Sequence, residues 1–223
     1  MPISDDQALS AISELVAWGK VHYRDRTFNK DIFIPTRPGL LYVVHQGAIR
    51  LIGRSTNSLD ESGDTISPVL LSLVGENRPF EIAAQSTFVF EAYAQIDQTS
   101  VIWLYWNELT QWPTLHLTIL EAFHRHYQSQ LIWVNALGQK STLERLLSFL
   151  ALLMAEYGQP VAEGYCFPYP LTHGQIGNAI RATRVTITRL MVRLRQQEII
   201  FLKDDLICLE RRTFQQYKPL RPQ

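Results

Sequence analysis

Four arginines and no acidic residue lie between residues 183 and 197. Helical spacing predicts a buried arc made of Ile187, Leu190, Met191 and Leu194. The opposite arc would carry Val185, Thr188, Arg189 and Val192, with Arg184 at the N-terminal end. A guanidinium group binds guanine O6 and N7 in bidentate fashion, and a valine can contact the methyl group of thymine. The segment therefore predicts a helix whose outer face contacts the base edges of DNA.

Two capped helices and a hairpin would position this face. Thr172 and Gln175 have the spacing of a capping box, which predicts a short helix. Its inner face would hold Ile176, Ala179 and Ile180. Thr183 can cap the arginine-rich helix. Beyond it, residues 199–202 and 206–209 flank a polar tripeptide and predict a tight β-hairpin. Together these elements indicate a winged helix-turn-helix, whose partner is double-stranded DNA.

Charge is segregated along the chain, although the formal net charge of its 223 residues is +0. Residues 1–136 carry 9 Lys and Arg against 14 Asp and Glu, and residues 137–223 carry 12 against 7. The first part is therefore acidic and the second basic. A basic module favours an anionic partner such as nucleic acid, because each neutralised phosphate releases a counterion.

The composition excludes several classes of protein. A hydrophobic content of 46% with 19% charged residues is typical of a globular chain. No apolar run is long enough to span a membrane, and the acidic N-terminal residues do not resemble a secretory signal. Two cysteines cannot form a disulfide framework or a four-cysteine zinc site, so we expect a reducing, cytoplasmic location. Cys208 would be a small apolar residue in a hairpin strand.

The N-terminal part predicts an amphipathic helix over residues 4–18 and then a region of short β-strands. The apolar runs lie at residues 32–34, 40–44, 48–52, 69–74, 88–94 and 100–105. A polar loop is expected over residues 55–64. Many short strands at this spacing predict a sandwich or barrel.

Residues 114–137 predict a long helix with two apolar stripes. One stripe can cover the β-domain. The other needs a different partner, and a second copy of the helix in a parallel homodimer meets that need. A helix buried on both sides within one monomer is the alternative. The second stripe, called the seam below, comprises Leu117, Leu120, His124, Tyr127, Leu131 and Val134. Downstream, Ser141 and Glu144 form another potential capping box.

Residues 171–190, LTHGQIGNAIRATRVTITRL, resemble the helix-turn-helix of the Crp/Fnr family of bacterial transcription regulators, and the TRVTITR core is most similar to the cyanobacterial nitrogen-control branch. Residues 39–51, GLLYVVHQGAIRL, resemble the first hairpin of the family's β-roll. The resemblance implies an α+β fold with a cyclic-nucleotide-binding-like β-roll (residues 1–113), a dimerisation helix (114–138) and a C-terminal winged helix-turn-helix (139–223). It also implies double-stranded DNA, a second copy of the chain and RNA polymerase as partners.

The resemblance assigns individual roles at the DNA. Base reading falls to Arg184, Val185 and Arg189. Contacts with the phosphate backbone fall to Thr172, His173, Thr183, Thr186 and Thr188. The family usually has glycine in the turn, where this chain has Arg181. Either the turn is strained, or it is reshaped while Arg181 adds a phosphate contact.

The resemblance does not extend to the groups that bind an effector in relatives. Cyclic-nucleotide-binding members hold the phosphate with an Arg-Ser pair, but Phe90 and Glu91 stand at those positions here, and a carboxylate repels a phosphate. The nitrogen-control branch binds 2-oxoglutarate through an arginine and a glutamate, which align with His126 and Leu131. We therefore expect no cofactor and no cyclic nucleotide, and a β-roll that is effector-free or regulated by a protein.

An enzyme and an adaptor are the alternatives. Metal-binding cupins need two histidines at i and i+2 on a strand, but His124 and His126 lie on a predicted helix and point in different directions. We therefore expect no catalytic or metal site. The adaptor would bind a small dicarboxylate or a protein through its β-roll, with weakened DNA binding. A salt-dependent gel shift on random duplex DNA separates the adaptor from a regulator.

Overall fold

The computed structural model describes residues 5–55, 68–83 and 88–219. The chain forms two compact units, Met1–His126 and Tyr127–Gln223, which are described separately. The polar loop expected at residues 55–64 lies almost wholly outside the described residues. None of the described helices is long and apolar enough to cross a membrane.

The described part of the N-terminal unit contains helix α1 (Asp5–Val21), a 3₁₀ helix (Trp106–Gln111) and the start of helix α2 (Pro113–Leu137). Its strands are β1 (Asp25–Phe28), β2 (Phe33–Ile34), β3 (Leu40–Gln46), β4 (Ile49–Ser55), β5 (Val69–Val74), β6 (Arg78–Phe80), β7 (Phe88–Ala94) and β8 (Thr99–Tyr105). They pair into two antiparallel sheets of order β1-β8-β3-β6 and β2-β7-β4-β5. The predicted sandwich is confirmed as a β-roll.

Strand β3 is buried on both of its faces. Tyr42 and Val44 belong to a core cluster that joins side chains of the two sheets. Leu41 and Val43 belong to a second cluster, in which α1 and the start of α2 cover the other face of the first sheet. Because both faces are covered, the strand reads as an uninterrupted apolar run instead of an alternating one.

Strands β1 and β6 do not appear among the apolar runs of the sequence. Their sequences are DRTF and RPF, which are too short and too polar to be recognised by alternation. Pairing decides their structure: β1 lies against β8 and β6 lies against β3, both antiparallel.

The described part of the C-terminal unit contains the rest of α2 and helices α3 (Thr142–Tyr157), α4 (His173–Ile180), α5 (Arg184–Gln196) and α6 (Arg211–Tyr217). Its strands are β9 (Gln159–Pro160), β10 (Gly164–Cys166), β11 (Ile200–Lys203) and β12 (Leu206–Glu210), in the order β11-β12-β10-β9. The predicted hairpin is β11 and β12. Its turn residues, Asp204 and Asp205, have φ angles of 51° and 61°, as a two-residue hairpin turn of the primed type requires.

The capping box expected at Ser141 and Glu144 is wrong. Ser141 stands at the N-cap of α3, but its side chain makes no capping hydrogen bond. The carboxylate of Glu144 instead accepts a hydrogen bond from the Tyr217 hydroxyl at 3.3 Å. The Glu144 side chain, which local spacing assigned to the cap of α3, therefore contacts α6 instead.

The two cysteines also differ from expectation. Cys166 of β10 and Cys208 of β12 are direct partners across the sheet, with Cα atoms 3.9 Å apart, and a disulfide joins them. The bond closes a loop with a sequence separation of 42, which contains α4, α5 and β11. The pairing was not predicted, because residues 164–166 do not stand out in the sequence as a strand.

Candidate nucleic-acid interface

Helices α4 and α5 are capped as the sequence predicts. The Thr172 hydroxyl accepts a hydrogen bond from the Gln175 backbone N–H at 3.1 Å, and the Gln175 side chain accepts one from the Thr172 N–H at 2.9 Å. Thr183 caps α5 by accepting from the Thr186 N–H at 3.1 Å. These bonds satisfy backbone donors that a helix N-terminus leaves open, so both helices begin at defined residues.

The turn between the two helices is strained at Arg181, which has φ 55° and ψ 57°. This is the left-handed region that favours glycine. The Ala182 N–H donates to the Gly177 carbonyl at 2.9 Å. A Cβ atom on Gly177 would lie 2.5 Å from the Ala182 carbonyl oxygen. Residue 177 must therefore be glycine, because α4 contacts the backbone of the turn directly.

Two side chains outside the motif hold the last turn of α4. The indole N–H of Trp133, on α2, donates to the Ala179 carbonyl at 3.2 Å. The Nε–H of Arg145, on α3, donates to the Ile180 carbonyl at 3.1 Å. The last carbonyls of a helix have no partner within it, so these bonds fix its orientation. Sequence reasoning missed both residues, since no local pattern links them to α4.

Helix α5 presents the two predicted arcs, except that Leu190 of the inner arc is only partly buried. Ile187, Met191 and Leu194 are buried, whereas Val185 is 59% exposed and Val192 is 48% exposed. The residues assigned to base reading, Arg184, Val185 and Arg189, are all exposed. Within the described residues, none of the four arginines of α5 forms a salt bridge. The outer face thus offers unneutralised guanidinium groups beside exposed methyl groups.

The N-terminal ends of α4 and α5 meet at a surface groove lined by Leu171, Thr172, His173, Gly174 and Arg184. Backbone N–H groups and the helix dipole make such ends favourable for anions. The structure therefore brings the predicted phosphate residues Thr172 and His173 next to the predicted base reader Arg184. Of the others, Arg181, Thr183 and Thr188 are exposed and Thr186 is partly buried.

His173 is hydrogen bonded to α5 and is neutral near pH 7. Its Nδ1 lies 2.9 Å from the Thr188 hydroxyl, which itself donates to the Arg184 carbonyl at 2.9 Å. Because the hydroxyl hydrogen is used there, Nδ1–H is the donor and Nε2 carries no proton in the neutral ring. Burial, together with the charges of Arg184 and Arg195, lowers the His173 pKa from 6.5. Nε2 must bind a proton before it can donate to a phosphate.

The predicted seam is exposed along α2. The exposed fractions are 54% for Leu117, 48% for Leu120, 59% for Tyr127, 48% for Leu131 and 66% for Val134, and His124 is exposed as well. The opposite stripe is covered in each unit: Ile119 is fully buried in the N-terminal one and Trp133 is 7% exposed in the C-terminal one.

The segment expected to align with a cyclic-phosphate site contains an ion pair of its own. Glu91, on β7, accepts hydrogen bonds from Arg54 Nε at 2.6 Å and from the Tyr93 hydroxyl at 3.0 Å. The bond to Glu91 raises the pKa of Arg54. Phe90 is paired with Gly53 in the sheet. No group of three or more metal-binding side chains occurs in the part of the chain that the structure covers.

Comparison with known proteins places these features in a family. A family model described as a Crp-like helix-turn-helix domain matches residues 144–217. A global nitrogen regulator of Synechocystis sp. is 30% identical over 184 residues, covering 77% of each chain. A global nitrogen regulator of Nostoc sp. is 28% identical over 225 residues, covering 95% of this chain and 96% of its own.

Solved structures share the fold at lower identity. A protein of Listeria monocytogenes described as containing a cyclic nucleotide-binding domain superposes with a TM-score of 0.71 at 12% identity, covering 91% of this chain and 97% of its own. A CooA mutant from Carboxydothermus hydrogenoformans gives a TM-score of 0.66 at 17% identity, covering 87% of each chain. These matches confirm the predicted combination of a β-roll with a C-terminal helix-turn-helix.

Proposed function

The chain belongs to the Crp/Fnr family of transcription regulators, and we propose that it binds a specific inverted-repeat DNA site as a homodimer. Its relatives regulate transcription and are not enzymes. The proposal covers what the family alone does not fix: the residues that read the bases, the symmetry of the site and the state of the β-roll. The protein would act on DNA in the cytoplasm, where RNA polymerase would be a further partner.

The outer face of α5 is the observation that carries this proposal. Arg184, Val185 and Arg189 are exposed on a helix whose other face is buried and whose N-terminus is capped. A helix held in this way enters the major groove with its N-terminal residues toward the base edges. Each arginine would bind one guanine, and Val185 would contact a neighbouring thymine methyl.

The remaining polar groups would position the helix on the backbone. These groups lie in or beside α4, the turn and α5, and they are Thr172, His173, Arg181, Thr183, Thr186 and Thr188. Contacts with phosphates fix register and orientation but carry no sequence information. The Thr183 hydroxyl accepts from the Thr186 N–H, so its own hydrogen remains available to a phosphate oxygen or to the Thr186 hydroxyl at 2.9 Å.

A homodimer through the seam would give the site its symmetry. Two reading helices related by a two-fold axis require an inverted repeat with half-sites about one helical turn, or about 10 base pairs, apart. The β-roll would work without a cyclic nucleotide, which is supported by the bond between Glu91 and Arg54 at the position expected for the phosphate anchor. Resemblance to the nitrogen-control branch supports a GTA…TAC-type palindrome.

Selection of bound sequences from a random duplex pool tests the proposal. The expected consensus is an inverted repeat with half-sites about 10 base pairs apart, recovered at a salt concentration that suppresses nonspecific binding. The control is Arg212→Ala, which removes one charge from α6 in the same unit and leaves α4 and α5 unchanged. This variant should return the same consensus as the wild type. A direct repeat, a single half-site or no enrichment would refute the proposal.

A further inference from the structure

A cavity of about 320 Å³ opens between the edge strands β1 and β2 of the β-roll. Strands β1, β8 and β3 are neighbours in one sheet and form the floor of the cavity. Arg26 of β1 pairs with Val101 of β8, and Tyr42 of β3 pairs with Trp103 of β8. The segment from Ile34 to Arg37 forms the opposite wall. The volume is typical of a site for a compact ligand. The lining residues do not include Phe90 or Glu91, which are expected at the position of the cyclic-phosphate anchor.

The floor of the cavity is aromatic. Phe28 and Trp103 pack against the core cluster that contains Tyr42, but both remain only partly buried. Trp103 lies on β8, between β1 and β3, and its side chain lines the cavity. An indole, a phenol and a phenyl ring in one small cavity favour a flat apolar body, which gains stacking contacts as well as burial.

Two arginines that pair with no carboxylate of the described residues flank this floor. The guanidinium carbon of Arg26 lies 5.6 Å from the centroid of the Trp103 ring. The backbone N–H of Arg37 donates to the Tyr42 hydroxyl at 2.8 Å. Neither arginine forms a salt bridge with a carboxylate of the described residues. Three other arginines of this unit do, in the pairs Arg24–Glu108, Arg50–Asp31 and Arg54–Glu91.

We infer that this cavity binds a small aromatic carboxylate. The guanidinium group of Arg26, which lies over the Trp103 ring, would move aside to the mouth, so that the ring of the ligand could lie on Trp103 and Phe28. The carboxylate would accept hydrogen bonds from Arg26 and Arg37 there. Guanidinium groups bind carboxylates in bidentate geometry, and such bonds are stronger than those between neutral groups. A purely apolar ligand would leave the arginines unpaired, and an inorganic anion would leave the aromatic floor unused. The inference does not depend on DNA binding.

Calorimetry on the full chain with 2-naphthoate as the probe tests this. Saturable binding is expected for 2-naphthoate, and much weaker binding for 2-naphthamide, cyclohexanecarboxylate and inorganic phosphate. Those three probes lack the charge, the aromatic ring and the apolar body, respectively. Equal binding of phosphate would show a simple anion site, and equal binding of 2-naphthamide would show an apolar one. Either result would overturn the inference, as would no saturable heat with 2-naphthoate at millimolar concentration.

Variants locate the site. Arg26→Gln and Arg37→Gln should each weaken 2-naphthoate binding by about ten- to a hundredfold, the cost of losing a hydrogen bond to a charged group. Both side chains are exposed, so the fold should survive, and circular dichroism would confirm that. Arg54→Gln is the matched control in the same unit, because Arg54 is paired with Glu91 and does not line the cavity. Equal loss in Arg54→Gln, or no loss in the other two, would contradict the assignment.

Discussion

Single residues in the turn and at the helix ends would each combine a structural task with the task at the DNA proposed above. Thr183 caps α5 and lies where a phosphate would be contacted. Arg181 adopts a left-handed conformation and still presents an exposed guanidinium group. His173 links α4 to Thr188 and has a lowered pKa. Because the two tasks make different demands on the side chain, substitutions can separate stability from DNA affinity.

Arg181→Gly should raise the free energy of unfolding of the C-terminal unit by about 1 kcal/mol, because glycine adopts the left-handed region without the steric cost that a side chain meets. Nonspecific DNA affinity should fall if the guanidinium group contacts a phosphate. Arg181→Ala is the control: it removes the charge but keeps the strain. Urea unfolding of the two variants makes the comparison, and equal stability of Arg181→Gly and Arg181→Ala would show that no strain exists at this position.

DNA binding should be coupled to protonation of His173. In the free protein, burial and then the charges of Arg184 and Arg195 lower its pKa, so the ring is neutral at pH 7. A phosphate near Nε2 would favour the imidazolium form and raise the pKa in the complex. Affinity should therefore rise as pH falls through the pKa of His173 in the complex toward its lower pKa in the free protein, by up to about tenfold for each unit that separates the two pKa values.

His173→Gln should flatten that pH dependence, because glutamine keeps a hydrogen-bond donor but does not titrate. Fluorescence anisotropy with a labelled duplex at fixed ionic strength gives the profile. If wild type and His173→Gln show the same slope with pH, His173 does not contact the phosphate backbone.

At the scale of elements, bonds from outside the motif fix α4, the helix that precedes the proposed reading helix α5. Trp133 and Arg145 hold the last carbonyls of α4, and Gly177 permits the close approach of the turn. The disulfide between β10 and β12 encloses both α4 and α5 in one loop. The disulfide thus links the strand that precedes α4 with the second strand of the hairpin, on the two sides of the helices proposed to bind DNA.

Reduction of the disulfide should destabilise the C-terminal unit. A loop with a sequence separation of 42 corresponds to about 4 kcal/mol of chain entropy in the unfolded state. Thermal unfolding with and without dithiothreitol measures the effect. The variant carrying both Cys166→Ser and Cys208→Ser is the control, since it should not respond to dithiothreitol. A wild-type transition that is indifferent to the reductant would contradict the pairing.

At the scale of the whole molecule, the sequence predicted what periodic patterns and local spacing encode. Helices α2, α4 and α5, the hairpin β11–β12 and the caps at Thr172 and Thr183 follow from such local signals. The elements that it missed depend on distant partners: β1 and β6 on pairing, and the disulfide on β10. Glu144 is a similar case, because its carboxylate accepts a hydrogen bond from Tyr217, 73 positions away, and does not complete the predicted cap.

The assembly expected for the molecule rests on the exposed seam of α2. Wild type should be a dimer at micromolar concentration, and Leu131→Glu should be monomeric, because a charge would be buried without a partner. Leu9→Glu is the matched control, since Leu9 is 52% exposed on α1 and lies outside the seam. Light scattering reports the mass, and a monomeric wild type, or a dimeric Leu131→Glu protein, would refute dimerisation through this stripe.

The central claim is that the outer face of α5 reads base edges, and selection from a random duplex pool with wild type, Arg184→Ala and Val185→Glu tests it most directly. Arg184→Ala should lose about 1–3 kcal/mol per half-site and relax the preference at one position only. Val185→Glu should change the neighbouring preference toward cytosine, because a carboxylate accepts from the cytosine amino group. Wild-type consensus sequences from both variants would show that this helix does not lie in the major groove.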